Sequence, residues 1–102
     1  MDTFRKKRLE IVIERTLERR LLALLETEGA LGYTVLPVLA GKGTRGAWRE
    51  DSMSSTNQMS MVLVVTDKTR AERIAAAAYA LIGDYSGIVL VSDVDVFRGD
   101  RF

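Results

Sequence analysis

The 102-residue chain contains no cysteine and no histidine. Without cysteine there is no disulfide, no thiol nucleophile and no cysteine-bound zinc. Without histidine it lacks the usual general base near neutral pH and the commonest metal ligand, which argues against triad hydrolases and most zinc enzymes. Net charge is almost absent as well, with 15 Lys+Arg against 14 Asp+Glu for a formal +1. The averaged field therefore attracts neither nucleic acid nor an anionic membrane, and any anion site has to be local. Nor is there a long hydrophobic run. The longest, Ile74 to Ile82, is largely alanine and far below the ~20 residues of a membrane span. The basic start, Arg5 to Arg8, is like a signal n-region, but Glu10 and Glu14 interrupt the apolar residues after it. No secretory h-region forms, and a cytoplasmic protein is expected.

What is present is globular in character. The hydrophobic fraction is 47%, and a chain of about 100 residues is the common size of one domain with one core. Leu9, Ile11 and Ile13 alternate with Arg8, Glu10 and Glu14, the period of a strand with one buried face. Leu17, Leu21, Leu24, Leu25 and Ala30 follow at helical spacing, and Gly29 and Gly32 supply a stop. Tyr33 to Ala40 is β-branched and apolar, a second strand in which Pro37 demands an edge or a bulge. Met59 to Val65 predicts a third strand. Thr66 or Asp67, or alternatively Thr69 with Glu72, opens a helix whose stripe runs Ala71, Ile74, Ala75, Ala78, Tyr79 and Ile82 until Gly83. Ile88 to Val91 begins the last strand, extended by Val94, Val96 and Phe97. The order β-α-β-loop-β-α-β predicts an α+β, ferredoxin-like βαββαβ sandwich, with two helices on one face of a four-stranded antiparallel sheet. Val12, Val35, Val62, Val64 and Val89 are assigned to the other face, too much apolar surface to leave in water, so further subunits are expected to cover it.

Between Gly41 and Asn57 the chain turns polar and glycine-rich and shows no period, which predicts a long mobile loop. Structureless loops of that length are uncommon in compact domains and are usually functional. Gly41-Lys42-Gly43-Thr44-Arg45 combines glycines, which let backbone N–H groups approach an anion, with cationic side chains. It is neither a Walker A loop nor a dinucleotide fingerprint, because no helix follows it; a flexible basic loop explains it equally well. Gly83-Asp84-Tyr85-Ser86-Gly87 is either a binding turn or plain helix-to-strand punctuation. Arg98, Arg101, Arg5, Lys6 and Lys7 read as solvated termini, with a phosphate contact at a subunit edge as the alternative for Arg98 and Arg101. Asp93 and Asp95 share one side of a strand, but with no third ligand nearby a solvated strand end is favoured over a divalent ion. Trp48 is either folded back on its own domain or an exposed anchor for a partner.

Taken together, Gly32-Tyr33-Thr34-Val35 after the first helix, Gly41-Lys42-Gly43 opening the loop and Asp84-Tyr85-Ser86-Gly87-Ile88 before the last strand resemble the PII-like signalling proteins. The likeness covers nearly the whole chain as a single domain, 1–102, with a T-loop at about 43–58. It is strongest to the branch linked to inorganic carbon, the carboxysome-associated PII proteins and the regulators of bicarbonate transporters. The resemblance implies a homotrimer with its sheets facing inward and an adenine-nucleotide site in each cleft between subunits. By position that site takes Gly41, Lys42, Gly43, Thr44 and Arg45 from the T-loop base, Gly83, Tyr85, Ser86, Gly87 and Ile88 from the turn before the last strand, and Arg98 and Arg101 from the C-terminal segment. Lys42, Gly43, Arg45 and Arg49 form the expected bicarbonate or anion site. Trp48, Ser52, Ser54 and Ser55 form the expected partner surface, for a bicarbonate transporter or a carboxysome component.

Three departures shape the expectation. No tyrosine lies between Thr44 and Asn57, which argues against the uridylylation known in nitrogen-regulatory members. No lysine lies between Gly83 and Gly87, which favours AMP or ADP over ATP with 2-oxoglutarate. There is also no cysteine-bearing tail. The reading is therefore a non-enzymatic sensor of AMP or ADP with bicarbonate, holding no metal, touching no nucleic acid and inserting in no membrane. Ligand binding is expected to order the loop base around Gly43 to Arg49, leaving the tip for a partner. Three alternatives stand beside it. One is a nitrogen-regulatory PII-type protein binding ATP/ADP. Another is a ferredoxin-like nucleic-acid module, though Tyr33 is the one aromatic that an open sheet face would offer for stacking bases. The third is a small trimeric enzyme, which the missing His and Cys argue against.

Overall fold

The computed structural model describes residues 2–43, 46–49 and 58–98. The first strand, β1 (Phe4–Glu14), leads through one 3-10 turn (Arg15–Leu17) into helix α1 (Glu18–Thr27). Then come β2 (Thr34–Val38), a short hairpin of β3 (Ala40–Gly43) and β4 (Gly46–Arg49), β5 (Met59–Thr66), helix α2 (Lys68–Ile82) and β6 (Gly87–Val96). The main sheet has the order β2-β5-β1-β6, with every neighbouring pair antiparallel. This is the expected ferredoxin-like sandwich. Pro37 lies on β2, an outer strand, the placement in which a sheet tolerates a residue without an N–H.

Both helices stop for local reasons. At the end of α1, Gly29 takes φ 79°, its N–H donates to the Glu26 carbonyl, and the Ala30 N–H reaches back to that of Leu25, a Schellman closure. At the start of α2, the Asp67 carboxylate accepts the Arg70 N–H at 2.9 Å, so Asp67 is the cap rather than Thr66 or Thr69. That contact, reinforced by the Arg70 guanidinium, holds the Asp67 carboxyl below its ordinary range. Gly83 ends α2 at φ 51°.

The core forms where the helical stripes meet one face of the sheet. Leu17, Leu21 and Leu25 from the first helical segment, with Ala71, Ile74, Ala78 and Ile82 from α2, pack on Leu9, Ile11, Ile13, Val62 and Val64. Fully burying a Leu or Ile is worth about 1.5–3 kcal/mol, so this layer dominates the stability. Register decides which residues belong to it. Ile11 lies opposite both Val62 and Val89, and Val62 lies opposite Val35, so all four share the helix side.

That corrects the sequence-based assignment of the other face. Val62 and Val64 are buried beneath the helices, and Val35 and Val89 point the same way. Of the five valines, Val12 alone lies on the open side, where its ladder partners are Met61 and Ile88. The open face is nevertheless apolar: Leu36, Met61, Leu63, Val65, Ile88, Leu90 and Val94 share it by register, around an ion pair between Arg8 and Glu10 at 2.8 Å. The loop expectation is also amended, because its base is a β-ribbon in which Gly41 faces Trp48 and Lys42 faces Ala47.

Candidate functional site

The four strands of the main sheet bring three segments to one of its ends. There, in order across the sheet, stand Val38 of β2, Met59 of β5, Glu14 of β1 and Gly87 of β6. Leu39 then leads from Val38 into the β3–β4 hairpin, the base of the long loop. Met59 is where the loop returns, and Gly87 is where the turn 83–87 enters the last strand. All the loop-derived site segments therefore share one edge of the molecule.

The hinge of that edge is Glu14, the last residue of β1, with Arg15, the first of the 3-10 turn. The Glu14 carboxylate accepts the backbone N–H of Ser86 at 2.7 Å. Arg15 reaches the other way. Its backbone N–H donates to the Gln58 carbonyl at 2.9 Å, and its guanidinium donates to Gln58 Oε1 at 3.0 Å and to the Met59 carbonyl at 3.3 Å. A further bond, from the buried Ser60 hydroxyl to Glu18 Oε1 at 2.8 Å, ties β5 to the first turn of α1. Two adjacent side chains thus hold the turn before β6 and the return of the loop. Neither was legible in the sequence, since Glu14 and Ser86 lie 72 residues apart and no local pattern links them.

Turn 83–87 is shaped by close packing. A Cβ on Gly87 would stand 2.8 Å from the Val12 carbonyl oxygen and 3.0 Å from Ile82 Cδ1. Glycine at 87 is therefore required by the chain's own backbone, independently of any ligand. Tyr85 is half exposed beside it, and its N–H closes the turn on the Ile82 carbonyl at 2.8 Å. Ile88 presents its side chain to the open sheet face.

Of the remaining site residues, Gly41, Lys42 and Gly43 lie on β3, and Trp48 and Arg49 on β4. Thr44, Arg45, Ser52, Ser54, Ser55 and Arg101 lie outside the described residues. Two separations matter. β2 and β6 are the outer strands, so the loop base and the turn are three strand spacings apart, roughly 14 Å. Arg98 follows the far end of β6, whose 10 residues span about 33 Å. Within one chain, then, Arg98 and the turn stand at opposite ends of the sheet.

The other charged candidates resolve into ion pairs. Asp93 binds Lys7 at 2.6 Å and Asp95 binds Arg5 at 2.8 Å, as expected of a solvated strand end. The Lys7 ammonium holds the Asp93 carboxyl below its ordinary value. Among the described residues no group of three or more Asp or Glu is placed to hold a metal ion, and no helix is long and apolar enough to cross a membrane. A groove of about 310 Å³ between α2 and β6, lined by Lys7, Lys68, Glu72 and Val91 among others, contains none of the site residues.

Residues 6–101 match the family model of the nitrogen regulatory protein P-II. The chain belongs to the P-II family. Among solved structures, a protein of Thermus thermophilus described as PII-like is 31% identical, with 100% of this chain and 99% of that one covered and a TM-score of 0.82. The PII-like protein CPII of Thiomonas intermedia, solved bound to ADP and bicarbonate, is 26% identical, covers 99% of this chain and 97% of its own, and has a TM-score of 0.87. GlnK of B. subtilis, solved with ATP, shares the fold at 16% identity and a TM-score of 0.68, over 88% of this chain and 82% of that one. The chain is thus a PII-like signalling protein, and the long segment between β2 and β5 is the T-loop of the family.

Proposed function

We propose that this P-II family member is a non-enzymatic sensor of adenine nucleotides, AMP and ADP ahead of ATP, acting together with bicarbonate in clefts between the subunits of a cytoplasmic homotrimer. The observation that carries the reading is the separation of the site segments. The turn 83–87 and Arg98 lie at opposite ends of one sheet, and the T-loop base lies three strands from the turn. A ligand the size of a nucleotide touches all of them only when a second copy supplies part of the wall. The apolar open face gives that copy a surface to pack on, and CPII, at 26% identity, is a relative that holds ADP and bicarbonate.

On this reading Gly41, Lys42, Gly43, Thr44 and Arg45, with Arg49, hold phosphate or bicarbonate. Gly83, Tyr85, Ser86, Gly87 and Ile88 hold the nucleotide, and Arg98 and Arg101 complete the site. Occupancy orders the T-loop base and so alters what Trp48, Ser52, Ser54 and Ser55 offer to a partner, a bicarbonate transporter or a carboxysome component. Inorganic carbon uptake is the process regulated.

Titration calorimetry with AMP, ADP and ATP, each with and without bicarbonate, tests the reading. The expected result is AMP or ADP binding that bicarbonate tightens. Preference for ATP without a bicarbonate effect makes the protein a nitrogen-regulatory type of sensor instead, and failure to bind any of the three overturns the nucleotide site.

A further inference from the structure

The turn proposed to hold the nucleotide, whose phosphates are negative, carries negative charge itself. Asp84 is the only charged residue between Gly83 and Gly87, and the Glu14 carboxylate reaches in from the end of β1 to accept the Ser86 N–H at 2.7 Å. That N–H is a backbone donor of the kind that cradles phosphate oxygens. Its bond to a carboxylate is charge-assisted, shorter and stronger than a neutral one. No cation among the described residues pairs with Glu14, because the neighbouring Arg15 is committed to Gln58 and Met59.

Resting on the reading of this turn as part of a nucleotide site, we propose that Glu14 sets the site's selectivity for phosphate number, disfavouring the triphosphate and leaving the mono- and diphosphate. Two effects act in the same direction. The carboxylate occupies the Ser86 N–H that a terminal phosphate oxygen would use. Its charge also repels each phosphate added beyond the first, and the turn supplies no Lys or Arg to offset it. One unit charge about 7 Å from another changes affinity by roughly three- to fiftyfold between full water screening and the weaker screening near a protein surface. AMP, with the fewest charges and the shortest reach, feels this least.

A carboxylate that only tethers the turn would behave differently. Glutamine keeps an amide oxygen that accepts the Ser86 N–H and removes only the charge, so Glu14→Gln separates tethering from repulsion. The experiment is calorimetric titration of the full chain and of Glu14→Gln and Glu14→Ala with AMP, ADP and ATP, after a thermal melt shows each variant folded. In Glu14→Gln the ratio of ATP to AMP affinity should rise roughly three- to fiftyfold while AMP affinity stays within about twofold. Should Glu14→Ala prove unfolded, the Gln variant alone decides. Nucleotide binding by the parent chain with an unchanged ratio in Glu14→Gln overturns the role of Glu14 and leaves the site standing. No binding by the parent chain overturns the site and this inference together.

Discussion

Arg15 grips Gln58 twice, once through its backbone N–H on the Gln58 carbonyl and once through its guanidinium on Gln58 Oε1. The bond to the Met59 carbonyl completes the hold. The end of β1 therefore anchors the point at which the T-loop rejoins the sheet. Arg15→Ala removes the side-chain bonds and leaves half-buried carbonyl oxygens to water. Urea denaturation should show a loss of about 1–3 kcal/mol; an unchanged midpoint would mean the loop return is held elsewhere.

Gly87 is limited by the Val12 carbonyl, so even one methyl is costly. Gly87→Ala should destabilise the fold by roughly 1–3 kcal/mol through overpacking, and Gly87→Val by more. The measurement is a thermal melt without ligand, because any loss of nucleotide binding in these variants follows from the fold. A fully stable Gly87→Ala chain contradicts the close approach.

The open face predicts self-association. Leu90 is 47% exposed there in the single chain, so a charge at that position costs the isolated subunit little and an interface a great deal. The parent chain should scatter light as about three chain masses and Leu90→Arg as a smaller species with its helical content kept. A monomeric parent chain removes the trimer from the reading.

Asp93 and Asp67 should contribute to the loss of stability in acid. Both carboxyls titrate below their ordinary range when folded, Asp93 through Lys7 and Asp67 through Arg70. A carboxyl whose folded value lies below its unfolded value, near ~3.9, contributes stability that is complete above that value. The contribution disappears as pH falls through the folded value. Stability should drop below about pH 4, and Asp67→Asn with Asp93→Asn should flatten that drop while lowering the plateau slightly. An equally steep acid profile in the double variant places the sensitivity on other groups.

Arg45 is the cation most directly proposed for the anion. Losing one charge-assisted contact, worth ~1.5–3 kcal/mol, should weaken AMP or ADP binding about 10- to 150-fold in Arg45→Ala. Trp48 is the only tryptophan, so its emission should shift as nucleotide and bicarbonate bind. Nucleotide that binds calorimetrically without moving that emission would make the loop a tether rather than a switch.

The order of the two helices and the four strands of the main sheet, and the helical stripes, are local properties, and the sequence alone determined them; for Pro37 it left an edge or a bulge open, and the strand order decides for the edge. Period and glycine placement depend only on near neighbours along the chain. The facing of the strands was different in kind. In β5, Met59 to Val65 is apolar at every position but Ser60, so alternation carries no sign for its two sides. Only the pairing of Ile11 with Val62 and Val89 decides that Val62 goes beneath the helices and Leu63 to the open face. The loop base likewise read as irregular because its glycines hide a ladder that forms between Gly41 and Trp48. The site was legible as segments and not as a place. Which end of the sheet each segment reaches, how far Arg98 stands from the turn, and that Glu14 and Arg15 join the turn to the loop all depend on contacts between distant residues. Those contacts exist only once the strands have chosen their partners, and that choice belongs to the tertiary structure.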